Sequence, residues 1–139
     1  MQEELVNHLE KLHLIFETQH GFRVGISCLS NLLTFLEKAT KAIDDGLCLD
    51  VIYLDLAKAF DKVPHKRLTY KLLSHGIEGD VQRWLTNWLE GREQRVCING
   101  SSSGWEKVIS GVPQGSVIGP ILFLIYSLSM TSTWEWITI

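Results

Sequence analysis

Cysteine is scarce and poorly placed for chemistry. Cys28, Cys48 and Cys97 are odd in number, widely spaced, and form no Cys-x-x-Cys pair or Cys/His cluster. They give no signal for a metal site or a disulfide framework, and buried free thiols in a reducing, intracellular compartment are the expectation. Long apolar runs are lacking too. The most apolar window, Val117 to Tyr126, is about ten residues long, far below the roughly 18 that a membrane-spanning helix requires. The N-terminus carries Gln2, Glu3 and Glu4 where a signal peptide would be basic and then apolar, so no membrane partner is expected. Positive charge is not in excess: 13 Lys and Arg stand against 16 Asp and Glu, for a net charge of −3. That balance argues against the whole chain being a self-sufficient nucleic-acid clamp and leaves room for a local basic face. Neither an internal repeat nor a low-complexity tract is present.

What is there is the composition of a folding chain. With 139 residues, 45% hydrophobic and 21% charged, it has the size of one domain or of a piece of a larger one. Leu5, Val6, Leu9, Leu12 and Ile15 recur at mostly three- and four-residue steps and predict an amphipathic helix over Glu3–Phe16, with His8 and His13 facing solvent. Ser27 is a fitting N-cap for a second helix running to Asp44, whose face is lined by Leu29, Leu32, Leu33, Leu36, Ala39 and Ile43 and which Gly46 closes. Leu47–Leu56 reads as a strand buried on both faces. A helix from His65 to Leu73 follows, and then one capped by Asp80 whose Trp84 and Trp88 are expected in the core. Gln94–Gly100 and Trp105–Ser110 flank a turn-forming segment and predict a β-hairpin. A glycine- and proline-punctuated loop then leads into the apolar Ile121–Tyr126.

The chain is organised around Leu49 to Pro64, where an apolar run delivers Asp55 and then turns through small residues to Phe60 and Asp61. An aspartate in that position can cap the next helix as readily as it can bind a metal. A nucleophilic aspartate of a phosphohydrolase is a remote alternative, because the second acidic residue that such chemistry wants two positions on is here Ala57.

The wider pattern favours metal binding. Gln19-His-Gly-Phe-Arg23, Ser27-Cys-Leu-Ser-Asn-Leu-Leu33, Tyr53-Leu-Asp-Leu-Ala-Lys-Ala-Phe-Asp-Lys-Val-Pro-His65, Trp88-Leu-Glu-Gly-Arg-Glu-Gln-Arg-Val96 and Ser110-Gly-Val-Pro-Gln-Gly-Ser-Val-Ile-Gly-Pro120 together resemble the reverse transcriptases of non-LTR (LINE-type) retrotransposons. The resemblance implies an α/β (α+β) fold, a partial polymerase fingers-palm with helices packed on a small, mainly antiparallel sheet. It makes Asp55 the first metal-binding catalytic aspartate, with the Leu56 carbonyl beside it. It places Phe60 under the incoming sugar, where a ring favours deoxynucleotides, and Gln114 and Gly115 near nucleotide and template. Arg23 would contact triphosphate or template backbone, although Val24 and Ile26 stand where the family commonly has further basic residues. Two Mg²⁺ ions, an RNA template, a DNA primer and deoxynucleoside triphosphates are the implied cofactor and partners.

One departure bears on activity. The family's aromatic-small-Asp-Asp turn, which supplies the remaining metal carboxylates, has no counterpart after Tyr126, where the sequence holds no aspartate. Residues 1–126 therefore read as a partial reverse transcriptase domain and 127–139 as a divergent tail, as in a truncated or frame-shifted copy, and the chain alone is expected to be inactive. The alternative is a non-catalytic remnant or scaffold that self-associates through an exposed sheet edge.

Overall fold

A computed structural model describes residues 2–15, 19–23, 25–53 and 55–128. Val24, the expected helix end at Phe16 and the tail from Ser129, with its Glu135, lie outside the described residues. The chain divides into two compact units, one over Glu3–Ala57 and one beginning at Lys58.

In the first unit, α1 spans Gln2–Lys11 and buries Leu5, Val6 and Leu9. It stops earlier than its apolar period suggests because His13 turns left-handed at φ 52°. Its amide, and that of Leu14, then reach back to the carbonyls of Glu10 and Leu9 at 2.9 and 3.0 Å. That pair of bonds is a Schellman motif, which satisfies carbonyls that the helix itself leaves open. Helix α2, Cys28–Asp44, begins at Ser27 as expected, through a reciprocal box in which Ser30 donates to Ser27 Oγ and accepts from the Ser27 amide. Gly46, at φ 71°, ends it with the same Schellman pattern. No residue of α2 is buried, so its leucine face is open to solvent among the described residues.

The expected strand over Leu47–Leu56 is absent among the described residues, and Ile52 and Tyr53 are 79% and 84% exposed. A strand exists only by pairing, and no neighbouring segment among the described residues offers it a ladder. The cysteine expectation is corrected for a similar reason: Cys28, Cys48 and Cys97 are all exposed, because α2, the segment after it and the hairpin carry no covering layer.

The second unit holds the larger core. Helix α3 (His65–Ser74) packs against both α4 (Gly79–Leu89) and α5 (Gly119–Ser127). Leu68 and Leu72 of α3, Leu85 and Leu89 of α4, and Ile121, Leu122 and Ile125 of α5 are fully buried. Each contributes on the order of 1.5–3 kcal/mol of apolar burial. Lys71 donates from Nζ to the Tyr126 carbonyl in the last turn of α5 and lies 4.8 Å from the centre of the Tyr126 ring. A cation there complements the helix dipole, while partial burial lowers the lysine pKa.

Two expectations for α4 are corrected. Asp80 is not the cap: Glu78 holds that position without a side-chain bond, and Asp80 sits in the first turn, paired with Arg83 at 2.5 Å. The indoles are not core either. Leu85 and Leu89 occupy the buried stripe, leaving Trp84 44% exposed and stacked on Trp88 at 6.2 Å, one position around the helix. The hairpin forms as expected. Strand β1 (Glu93–Gln94) pairs with β4 (Glu106–Lys107), and β2 (Cys97–Ile98) with β3 (Ser101–Ser102), both antiparallel. Asn99 and Gly100, at φ 48° and 82°, make the left-handed two-residue turn that matches strand twist. Arg95 covers the Trp105 ring at 4.6 Å. Mixed helices and antiparallel ladders agree with the expected fold class.

One backbone contact ties the second unit together across the sequence. Gly111, at φ 90°, lies so close to the turn at Phe60–Val63 that an added Cβ would sit 2.8 Å from Asp61 Cα and 2.9 Å from the Phe60 carbonyl oxygen. Its amide donates to Val63 O at 2.8 Å, that of Val112 to Phe60 O at 2.9 Å, and Ser110 Oγ to Asp61 O at 2.8 Å. Gly111→Ala should therefore destabilise the chain by about 3 kcal/mol, combining backbone strain and overpacking. Gly100→Ala, where a Cβ meets nothing within 4 Å, should cost only about 1 kcal/mol from its left-handed backbone. Urea denaturation of the two variants checks the difference, and equal midpoints would contradict it.

Candidate functional site

Residues Ala57–Lys62 form a tight turn in which the amides of Asp61 and Lys62 both return to Lys58 O at 3.1 Å. The turn holds Phe60 half-buried, its ring stacked on Phe123 of α5 at 4.9 Å and 17°. That geometry is a near-parallel aromatic pair, which fixes the plane and position of the ring. The side chain of Asp61 points to solvent and its backbone carries the contacts to Ser110 and Gly111 described above.

Beyond Gly111 the loop runs to Gln114 and Gly115, both exposed. Gly115 adopts φ 80°, and no heavy atom lies within 4 Å of where its Cβ would be, so the loop is open on that side. The loop is closed tightly on the other side. Ser116 Oγ donates to Pro113 O at 2.7 Å and accepts from the Gly119 amide at 3.0 Å, anchoring the start of α5. A Cβ on Gly119 would lie 2.5 Å from Pro113 O, so only glycine fits where the helix meets the loop. Asp61, Arg92, Ser110, Gly111, Pro113 and Gln114 line one open cleft of about 440 Å³. Phe60 and Gln114, singled out separately in the sequence, thus stand on two segments that the Gly111 contact joins.

Two residues that the sequence did not single out meet at Gly111, and one of them, Arg92, lines the cleft. His65 Nε2 lies 2.9 Å from Gly111 O, and Arg92 donates to the same oxygen at 2.6 Å and from Nε to Leu89 O at 3.0 Å. Partial burial lowers the Arg92 pKa, yet guanidinium stays charged at ordinary pH. A signal for Arg92 exists in hindsight: a cation placed directly after Gly91, which ends α4, can reach back to the last helix carbonyls. His65 has no such signal, because its partner is 46 residues away.

The remaining candidate residues belong to the first unit. Asp55 and Leu56 are exposed in the unpaired segment. Arg23 is half-buried and its Nε pairs with Glu10 Oε1 at 3.3 Å. Among the described residues no three His, Cys, Asp or Glu side chains come together to hold a metal. Asp55 belongs to no such group, and hard divalent cations require several oxygen ligands to offset dehydration. The described residues therefore do not fit a complete metal centre.

Comparison with known proteins resolves the family. Residues 1–136 match the model for reverse transcriptase (RNA-dependent DNA polymerase). The chain is 33% identical over 126 residues to a probable RNA-directed DNA polymerase from transposon X-element of Drosophila melanogaster, covering 91% of this chain and 14% of that protein. It is 34% identical over 129 residues to the RNA-directed DNA polymerase from mobile element jockey of Drosophila funebris, covering 92% and 13%. A retrovirus-related Pol polyprotein from the type-1 retrotransposable element R2 of Popillia japonica is 28% identical over 78 residues, 56% of this chain and 13% of that one. The chain thus spans only a small part of the length of these relatives, and no solved structure matches it. With the sequence match running nearly end to end through the Phe60 turn and the Gln114 loop, the chain belongs to the reverse transcriptase (RNA-dependent DNA polymerase) family.

Proposed function

We propose that the chain supplies the part of a retrotransposon RNA-directed DNA polymerase that receives the incoming deoxynucleoside triphosphate beside an RNA template and DNA primer. The observation that carries this reading is the joining of the Phe60 turn to the Gln114 loop at Gly111, within a sequence that matches the family along its length. A ring held by stacking cannot swing aside, so it excludes a 2′-hydroxyl through sterics alone. The Gln114 amide, exposed at the cleft, can donate and accept hydrogen bonds to sugar or base. Asp55 would be one carboxylate toward Mg²⁺, with the Leu56 carbonyl beside it; among the described residues it belongs to no group of three or more possible metal ligands.

A second reading, a non-catalytic interaction module, is favoured by α2, whose Leu29, Leu32, Leu33, Leu36 and Ile43 are 47–67% exposed on one helix. The two readings separate in solution. Titration of a fluorescent deoxyadenosine triphosphate against its ribonucleotide counterpart, in the presence of an RNA/DNA template-primer, should show preference for the deoxy form. Phe60→Val should reduce that preference about tenfold, or roughly 1.4 kcal/mol. Equal wild-type affinities for the two sugars would sink the nucleotide reading.

Primer extension by the 139-residue chain with Mg²⁺ or Mn²⁺ should yield no incorporation; incorporation that Asp55→Asn abolishes would refute the incomplete-site argument. Light scattering behind a sizing column should show association that Leu32→Glu with Leu36→Glu reverses, and a wild-type monomer at all concentrations would remove the support for the interaction reading.

A further inference from the structure

We propose that His65 and Arg92 are positioning residues which, by donating together to the carbonyl of Gly111, set the register of the Gln114 loop against the Phe60 turn and so set sugar discrimination. The inference rests on the nucleotide reading above for its functional half. Its geometric half stands alone.

A carbonyl oxygen offers two lone pairs, and Gly111 O has one donor for each: His65 Nε2 at 2.9 Å and Arg92 at 2.6 Å. Donation by His65 requires its proton on Nε2. The 3.3 Å approach between the Arg92 guanidinium and that same nitrogen is then a contact between two donors sharing one acceptor, not a hydrogen bond. Arg92 also binds Leu89 O, so one rigid, planar fork fixes the end of α4 and the Gly111 peptide at once. His65 stands at the first position of α3 and ties that helix to the same oxygen.

The other side of the residue is held as firmly. The Gly111 amide reaches Val63 O, and the Val112 amide reaches Phe60 O. Glycine is the residue with the widest freedom of backbone rotation, and here it occupies φ 90°. The donors on its carbonyl remove that freedom. Gln114 follows three residues later and shares the cleft with Arg92. A twist of the Gly111 peptide would therefore carry Gln114 away from the turn that bears Phe60. Burial alone does not explain the pair, since both side chains are only half-buried and Arg92 faces the cleft.

The test uses the whole chain and four variants. Arg92→Lys keeps charge and stem but offers a single ammonium that cannot span Leu89 O and Gly111 O together; Arg92→Ala removes both bonds. His65→Gln can still donate from a similar position, whereas His65→Leu cannot. Residue-resolved hydrogen exchange should show the Gly111 and Val112 amides exchanging about tenfold faster in Arg92→Ala and His65→Leu, as expected for loss of one charge-assisted or neutral bond at a half-buried site. Arg92→Lys should fall between, His65→Gln should match wild type, and the amides of Leu72 and Leu85 within the helices should be unchanged in all four. In the nucleotide titration, the deoxy-to-ribo affinity ratio should fall about tenfold in the same two variants and recover in His65→Gln.

Unchanged exchange at Gly111 and Val112 in both deletion variants overturns the proposal whatever the nucleotide data show. Faster exchange with an unchanged deoxy-to-ribo ratio overturns the positioning role. A wild-type chain that binds no deoxynucleotide overturns the functional reading instead, and the exchange data still decide the geometric half.

Discussion

The close approach of Gly111 to the Phe60–Val63 turn is the contact on which the second unit depends. It is made by backbone on both sides, leaving no room for a Cβ, and so it is specified by the absence of a side chain as much as by any interaction. Around it the polar bookkeeping is nearly complete: amides of Gly111 and Val112, the Ser110 hydroxyl, and two side-chain donors each have a named partner. Buried or half-buried backbone groups carry a desolvation cost when unpaired, so such a seam is stable only when its donors and acceptors match.

The helices supply the platform for that seam. Leu68 and Leu72 of α3 are covered by α4 and α5, and Phe123 of α5 both belongs to this layer and receives the Phe60 ring. His65 begins α3 and Arg92 follows α4, so the two donors to Gly111 are carried by the ends of the packed helices. The apolar core and the cleft are in this way one construction. Among the described residues its first-unit counterpart has no such closure: α2 is well capped at both ends yet buries none of its residues, and the segment with Asp55 has no ladder.

Local signals in the sequence carried well into the structure. Ser27 as a cap and Gly46 and Gly91 as helix ends depend on neighbours within a few residues, and each is found; the turn expected over Asn99–Gly104 is found tightened to Asn99-Gly100, and Asp80 stands inside the first turn of α4 instead of at its cap. Expectations that needed a distant partner fared differently. The Leu47–Leu56 run has strand composition, but pairing is a property of two segments and only one is present among the described residues. Trp84 and Trp88 keep helical spacing with the core, yet which side of a stripe is covered depends on α3, not on α4 alone. The exposed cysteines follow the same logic. Phe60, Gln114 and Gly115 were singled out through family likeness, while His65 and Arg92 became visible only when the chain folded them onto one oxygen.

The separation along the chain of the groups that meet at Gly111 also bears on how the protein folds. Ser110 and Asp61 are 49 residues apart, and His65 and Gly111 are 46 apart, whereas the helices and the Asn99-Gly100 hairpin close over a few residues each. Loop-closure entropy delays contacts of long sequence separation until local elements have shortened the intervening chain. The seam at Gly111 is accordingly expected to form late, after α3, α4 and the hairpin have brought its two halves within reach. A chain caught before that step would carry native helix content with its cleft unassembled.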